Sequence, residues 1–431
     1  MKSFGSKLNF IFLFVVVLIL LFGNKPYDLE NIDVSAIDSG DTAWMIISCA
    51  FVLLMTPGLA FFYGGMVNIK NIISTMLQSF VALGVISVIW VLVGFSLAFG
   101  DSYYGIIGNP ITYFNFQNVT LNPHPDFGPT IPFLLFAFFQ LKFAIITPAI
   151  ISGSFAERIR FRSYILFMLL FTIFIYSPLA HMTWHPEGIF RRWGVLDFAG
   201  GTVVHMSAGL AALSGAFFLG KRKKMKEKPA NIPFVILGTG LLWFGWFGFN
   251  SGSALGANFD AVVAFANTNL ASATSMITWI FYDRFTNKKM SALGACIGAI
   301  VGLVAITPAA GFVTLGQSAF IGFIAAIVSN VAIRITKKSK IDDTLDVFPS
   351  HGVGGIVGML LTAIFANEVG LIHGNYEVFL YHILAVIIVS VFTLFMSFLL
   401  YKAVNLMMPL RVREDQEERG LDASQHGELF S

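Results

Sequence analysis

Long apolar runs dominate this sequence and restrict the chain to the interior of a membrane. Hydrophobic residues occupy 56% of its 431 positions and charged residues 12%, whereas soluble proteins carry about a quarter charged residues. A helix needs about 20 apolar residues to cross the hydrocarbon core, and runs of this length recur along the chain. Backbone groups must be paired within lipid, and the runs lack the alternation of barrel strands. The sequence therefore predicts a helical protein that crosses the membrane many times.

The predicted fold is an all-α polytopic membrane protein with eleven transmembrane helices, arranged as two inverted five-helix repeats plus a final helix. Five spans precede the basic loop 221–231, and five more follow it before the final helix. Two units of five helices must have opposite orientations. The predicted spans are Ala43–Met66, Ile72–Phe99, Pro132–Ser152, Tyr164–Thr183, Phe198–Leu219, Ile232–Gly252, Val262–Phe281, Ala292–Ala309, Phe312–Ile333, Gly352–Ala366 and Val378–Val404.

Basic residues indicate the orientation of the chain. Lys and Arg concentrate in alternate loops, with six of them between Lys221 and Lys228, and the opposite loops contain only Arg191 and Arg192. Cytoplasmic loops are enriched in Lys and Arg. This pattern predicts a multi-pass protein of the plasma (cell inner) membrane, with its N-terminus outside after removal of a signal peptide and its C-terminus in the cytoplasm.

The first residues form a separate unit. Lys2 and Lys7 precede a short apolar run, Phe10–Phe22, which is the layout of a secretory signal peptide, although no A-x-A cleavage site follows. The predicted organisation is a signal peptide (1–23), an extracytoplasmic segment (24–42), the first repeat (43–220), the basic loop (221–231), the second repeat (232–377), the eleventh helix (378–404) and a cytoplasmic regulatory tail (405–431).

Two histidines, His205 and His351, lie within apolar segments, one in each half of the chain. Ionisable side chains in membrane spans are rare and are usually functional, although a single buried histidine is often structural. Neutral imidazole offers one donor and one acceptor, so two such rings can line a path for a small N–H donor. Asp197 and Asp346 precede them by eight and five residues. Capping of a helix N-terminus is the simplest role for both carboxylates, and direct cation binding is the alternative.

Several longer motifs resemble those of a known family. The segments Asp197–Gly209, Gly245–Ser253 and Asp346–Gly355, together with Gly58–Gly65 and Ala156–Phe161, are similar to the ammonium transporters of the Amt/MEP type, within the Amt/MEP/Rh family. The resemblance extends from Ala43 through the tail.

This resemblance implies a transporter of ammonium and methylammonium, not an enzyme, with neither a cofactor nor a metal. It implies a homotrimer with one pore in each protomer. In that pore the twin histidines would be His205 and His351, the stacked gate would be Phe143 and Phe249, and the outer recruitment site would be Trp184, Phe139 and Ser253. The resulting mechanism would deprotonate ammonium, conduct ammonia and return the proton separately.

The resemblance also implies a partner for the tail. By similarity, the tail contacts neighbouring subunits and binds a PII-type regulatory protein; no nucleic acid is expected. An ammonium sensor is the leading alternative, and a gas channel is a weaker one. Lys142 directly precedes the predicted gate residue Phe143, where a cation would repel ammonium. We therefore expect Lys142 to face a carboxylate, water or a subunit contact.

Overall fold

A computed structural model of the protein describes residues 2–23, 28–223 and 228–430, with side chains from residue 10 onward. Residues 24–27 of the predicted extracytoplasmic segment and 224–227 of the predicted basic loop lie outside the described residues. The α-helices are α1 (Lys2–Gly23), α2 (Ser39–Met66), α3 (Ile72–Phe80), α4 (Ala82–Ile89), α5 (Phe95–Phe99), α6 (Phe133–Ile151), α7 (Phe161–Phe171), α8 (Ser177–Trp184), α9 (Ile189–Arg192), α10 (Ser207–Leu219), α11 (Ile232–Ser251), α12 (Phe259–Phe285), α13 (Ala292–Ile306), α14 (Leu315–Lys338), α15 (Gly354–Phe365), α16 (Tyr376–Met407) and α17 (Glu414–Arg419).

Shorter elements join or interrupt these helices. The π-helical segments are Trp90–Gly94, Thr172–Tyr176, Gly201–Met206, Phe348–Val353 and Asp422–His426. The 3₁₀ turns are Val34–Ala36, Ile69–Asn71, Phe114–Phe116, Ser152–Phe155, Gly252–Ala254 and Leu371–His373. Two small antiparallel hairpins pair β1 (Ser102–Tyr103) with β2 (Ile107–Gly108) and β3 (Pro123–His124) with β4 (Gly128–Pro132).

The prediction of a helical, multi-pass architecture is confirmed. Among the described residues, nine helical stretches are long and apolar enough to cross a membrane: Ser39–Met66, Ile69–Phe99, Phe133–Phe155, Phe161–Arg192, Gly201–Leu219, Ile232–Ala254, Leu315–Lys338, Phe348–Phe365 and Tyr376–Met407. The other two predicted spans correspond to α12 and α13. α13 is short at 15 residues, and α12 carries a polar stripe that includes Asn267, Thr268 and Ser272.

Side-chain caps set where several helices begin. The carboxylate of Asp38 accepts the backbone N–H of Asp41 at 2.8 Å and starts α2. Asn258 and Ser291 cap α12 and α13 in the same way. Thr314 and Gln317 form a reciprocal capping box, so α14 begins at Leu315 rather than at the predicted Phe312. Each cap satisfies backbone donors that have no partner within the helix.

The two halves of the chain pack reciprocally around the centre. α10 packs on the segment Phe348–Val353, and α15 packs on the segment Gly201–Met206. The closest approach brings Gly209 against Gly352, where a Cβ atom on Gly209 would lie 2.1 Å from the Gly352 nitrogen. Glycine is therefore required at position 209. The close contact between Gly209 and Gly352 holds the two histidine-bearing segments together.

The C-terminal tail is folded against the helix ends. The carboxylate of Asp422 accepts the backbone N–H groups of Ile73 and Ser74 at 3.1 and 2.7 Å, at the N-terminus of α3. Gln425 accepts the N–H of Phe161 at the start of α7. Arg411 donates to the Leu219 carbonyl at the end of α10. A solvated, disordered tail is thus excluded for these residues, since the tail satisfies backbone groups of three helices.

Substitution of Gly209 by Ala tests the central crossing. A methyl group there overpacks the contact with Gly352 and should destabilise the protein by about 1–3 kcal/mol, which lowers the midpoint of thermal unfolding in detergent. Gly240→Ala is the matched control, because no atom lies within 4 Å of a Cβ there. Alanine should be neutral at that position or stabilising by about 0.5–1 kcal/mol. Equal midpoints for the two variants would contradict the packing argument.

Candidate functional site

A buried carboxylate organises the chain ahead of His205. Asp197 Oδ1 accepts the N–H groups of Gly200 and Gly201 at 2.8 and 2.6 Å, and Oδ2 accepts the N–H and the hydroxyl of Thr202. Gly200 adopts φ 115°, a left-handed conformation that is strained for other residues. The carboxylate therefore caps the segment Gly201–Met206 and fixes the direction of His205.

Two phenyl rings are stacked next to this segment. The ring centroids of Phe143 and Phe249 are 4.1 Å apart, with an interplanar angle of 25°. Trp184 meets Phe143 edge-on at 5.9 Å, and its indole N–H donates to the Asp197 carbonyl at 3.0 Å. Thus α6, α8 and α11 each contribute one ring to a single aromatic group.

The two histidines lie directly beyond the stacked rings. His205 is 6.0 Å from Phe249 between centroids, and the Nδ1 atoms of His205 and His351 are 3.3 Å apart. One of these nitrogens must donate and the other accept, which couples the tautomers of the two rings. Both side chains are buried, 1% and 5% exposed. The structure thus brings together residues 146 positions apart.

Thr307 makes several hydrogen bonds beside His205. The sequence alone did not identify this residue. Its hydroxyl oxygen accepts the indole N–H of Trp246 at 2.9 Å and lies 3.3 Å from His205 Nε2. The hydroxyl donates to the Leu303 carbonyl at 2.8 Å. Since its proton is committed to Leu303, Thr307 can only accept, so His205 Nε2 must carry a hydrogen to bond it.

Two cavities lie on either side of the phenyl stack. The outer cavity, named for its expected side, has a volume of about 240 Å³ and is lined by residues that include Trp184, Phe143, Asp197 and Ser253. The internal cavity is much smaller, with a volume of about 10 Å³. A cavity of this size holds about one water molecule. Apart from His205, His351 and Trp246, its lining is apolar: Met55, Leu59, Phe62, Ile146, Ile150, Leu242, Phe249 and Ile300.

The carboxylate expected near His351 has a different partner. The side chain of Asp346 pairs with Lys337 at 3.1 Å, and Asp343 makes the helix-capping contact by accepting the N–H of Phe348 at 2.7 Å. Asp343 precedes His351 by eight residues, the same spacing as Asp197 and His205. This equal spacing is the sequence signal that could have identified Asp343.

The remaining predicted residues lie around this group. Phe139 packs edge-on against Phe143 at 5.0 Å but does not line the outer cavity. Ser253 lines it, and its hydroxyl donates to the Phe249 carbonyl at 2.9 Å. The ammonium group of Lys142 lies 5.6 Å from the centroid of Phe138, a ring exposed on the outside of the helix bundle.

Comparison with known proteins identifies the family. The model of the Ammonium Transporter Family matches residues 43–430. The chain belongs to the ammonium transporter family.

Relatives of this transporter cover nearly its whole length. An ammonium transporter of Aquifex aeolicus is 44% identical over 96% of this chain and 98% of that protein. The crystal structure of Saccharomyces cerevisiae Mep2 is 34% identical, with a TM-score of 0.84 over 91% of this chain and 92% of that chain. A solved structure described as a sensor Amt protein is 32% identical, with a TM-score of 0.83 over 90% and 98% of the two chains. Family membership supports transport of ammonium across a membrane and a role other than that of an enzyme.

Replacement of Asp197 by Ala tests the organising carboxylate of this transporter. Loss of the acceptor leaves buried N–H groups without partners and should cost at least about 2 kcal/mol, measured as a lower thermal midpoint in detergent. Asp126→Ala, which removes an exposed carboxylate from the same outer cavity, should leave the midpoint unchanged. An unchanged midpoint in Asp197→Ala would contradict the capping role.

Proposed function

We propose that the protein carries ammonium inward. Ammonium would bind in the outer cavity and release its proton there to water, the proton returning separately, and ammonia would pass between the phenyl stack and the twin histidines. The observation that supports this mechanism is the direct succession of the stacked rings of Phe143 and Phe249, two facing imidazoles and an otherwise apolar cavity, in a member of the ammonium transporter family.

Recruitment would depend on the outer aromatic group. Ring faces attract cations by about 0.5–2 kcal/mol, and Trp184 and Phe143 both line the outer cavity. The Ser253 oxygen retains a lone pair to accept an N–H, because its proton is donated to Phe249. Asp126, Asp260 and Asp197 also line this cavity, against one basic residue, Arg191. The excess of carboxylates would raise the local cation concentration.

Passage would favour the neutral molecule. A cation leaving the outer cavity must enter a space of about one water with apolar walls, where desolvation of a charge is very costly. Ammonia has no net charge and can both donate to and accept from imidazole nitrogens. Potassium has no proton to release, so the same step would exclude it.

The proposed assembly is a homotrimer of eleven-span protomers, each built from inverted repeats, with the C-terminus in the cytoplasm. Reciprocal packing of α10 and α15 on the opposite histidine-bearing segments supports the repeat. Exposure of Phe138 beside Lys142 on α6 is consistent with a subunit contact there. Such a contact would also separate the lysine charge from the pore.

An ammonium sensor is the alternative candidate, since a sensor Amt protein shares this fold. The relatives that match nearly the whole chain include proteins of Aquifex aeolicus and Bacillus subtilis that are named ammonium transporters. Transport is therefore favoured.

Alanine variants of the twin histidines test the transport mechanism. Loss of either imidazole removes hydrogen bonds worth about 1–1.5 kcal/mol. Uptake of radiolabelled methylammonium should fall by about tenfold in His205→Ala and His351→Ala, in cells that lack their own carriers. His373→Ala, at an exposed loop position, is the control. Absence of uptake by a well-expressed, membrane-inserted wild type would favour the sensor.

Trp184→Leu tests recruitment separately. Loss of the indole face should raise the half-saturating methylammonium concentration about fivefold, with a smaller effect on the maximal rate. Trp193→Leu removes an indole that stacks on Tyr381 outside this group and should leave half-saturation unchanged. Recruitment by Trp184 is refuted if both variants behave as wild type.

Binding of a PII-type protein is proposed for the cytoplasmic face, where the tail is docked. Deletion of residues 410–431 exposes the helix ends that Arg411, Asp422 and Gln425 cover and should abolish co-purification with PII. Deletion of 428–431 alone should preserve it. Undiminished binding after the longer deletion would exclude the tail as a determinant.

A further inference from the structure

Asp343 is a buried carboxylate that the proposed pathway does not use. It lies between α14 and the segment Phe348–Val353, is 7% exposed, and lines an inner cavity of about 430 Å³ together with Asp342 and Asp346. Its Oδ2 accepts the Phe348 N–H. Its Oδ1 has no hydrogen-bond partner among the described residues.

The equivalent carboxylate of the first half is fully paired. Asp197 and Asp343 both precede a π-helical segment and lie eight residues before a pore histidine. Asp197 receives four hydrogen bonds on its two oxygens, whereas one oxygen of Asp343 receives none. A buried carboxylate oxygen is costly to leave unpaired, so capping alone does not explain Asp343.

Neighbouring hydroxyl groups have no proton left for Asp343. The Ser154 hydroxyl donates to the Ala212 carbonyl at 2.7 Å, and the Tyr63 hydroxyl donates to the Ile150 carbonyl at 2.9 Å. Each hydroxyl has a single proton. The Ser154 hydroxyl and the Val347 N–H act on this carboxyl from nearby, but neither bonds Oδ1. Among the described residues Oδ1 is therefore open to a donor from the cavity.

The ion pairs around this cavity also support a cation ligand for Asp343. Arg222 bridges Glu157 and Asp342 at 2.9 and 2.8 Å, and Lys337 pairs with Asp346. The guanidinium of Arg158, close enough to act electrostatically on Asp342 and Asp343, donates to the Thr344 hydroxyl and the Asp342 carbonyl. Among residues 28–223 and 228–430, Asp343 is thus left without a salt-bridge partner. Lys221 and Lys228 also line the cavity, but their side chains are exposed and water screens them.

We propose that Asp343 Oδ1 forms a binding site for a small monovalent N–H cation, ammonium or methylammonium, at the inner mouth of the pathway. This site rests on the proposed transport function. The cation would supply both the missing hydrogen bond and the missing positive charge. Ammonia that leaves the histidines would be held there once it has taken a proton from water in the inner cavity.

The ionisation of Asp343 is compatible with this role. Burial, together with the nearby Asp346 carboxylate, raises the pKa of Asp343 to about 6. The carboxyl is therefore predominantly charged at neutral pH and can attract a cation.

Asp343→Asn separates charge from capping, because the amide oxygen can still accept the Phe348 N–H. Methylammonium transport is measured from the cytoplasmic face in inside-out vesicles and from the outer face in whole cells. The half-saturating concentration at the cytoplasmic face should rise about tenfold, equivalent to about 1.4 kcal/mol, and the outer value should stay unchanged. Asp415→Asn, which removes an exposed carboxylate paired with Arg413, should alter neither value.

The site and the transport function can fail independently. If the wild type transports and Asp343→Asn leaves the cytoplasmic half-saturation unchanged, the site is excluded and transport stands. If the wild type does not transport, crystals of wild type and variant soaked in methylammonium give a second measurement. Density for the cation at Asp343 in the wild type, absent from Asp343→Asn, supports the site, and its absence from the wild type overturns it.

Discussion

The need to pair every backbone donor away from water governs the centre of this protein. The chain enters the segment Gly201–Met206 through a sharp turn at Gly200, where several N–H groups have no helical partner. The carboxylate of Asp197 accepts three of them and the Thr202 hydroxyl. A low-dielectric interior makes such bonds strong and their absence costly. The position of His205 follows from this arrangement.

The need to pair buried polar groups also governs the two histidines. His205 contacts His351 through one nitrogen and Thr307 through the other, and Thr307 also satisfies the Trp246 indole. Both imidazoles are thereby held in fixed orientations although apolar side chains surround them. In the proposed mechanism, a rigid polar pair beside a cavity of about one water would discriminate by charge, because a neutral solute loses far less hydration than an ion.

The two halves differ in how their matching carboxylates are paired. Asp197 and Asp343 occupy matching positions, yet among the described residues only Asp197 has hydrogen-bond partners on both oxygens. The cavity beside the phenyl stack combines aromatic rings with charged groups, whereas the cavity at Asp343 is lined by charged and aliphatic residues without a phenyl stack. The docked tail lies on the same charged side, where Asp422 holds the N-terminus of α3. Movement of the tail would consequently free backbone donors of a membrane helix.

Sequence patterns were sufficient for features that depend on local composition. Apolar runs located the helices, and His205 and His351 stood out because ionisable groups are costly to place in lipid. Motif resemblance indicated the family, which the comparison over residues 43–430 established. Helix boundaries shifted where a cap such as Thr314 acted. The polar stripe of α12 keeps it outside the nine apolar stretches found among the described residues.

Only the tertiary structure decided which polar groups meet. Thr307 lies 102 residues from His205, and neither residue carries a local signal for the other. Asp346 stands closer to His351 in sequence than Asp343 does, but its side chain is drawn to Lys337, while Asp343 caps the helix. The tail contacts the ends of three helices, and its charged sequence alone gives no indication of these partners. Sequence by itself determined which segments enter the membrane, because that depends on the free energy of transfer of each segment. Partners of buried polar groups depend on the packing of distant helices, and the fold alone specifies them.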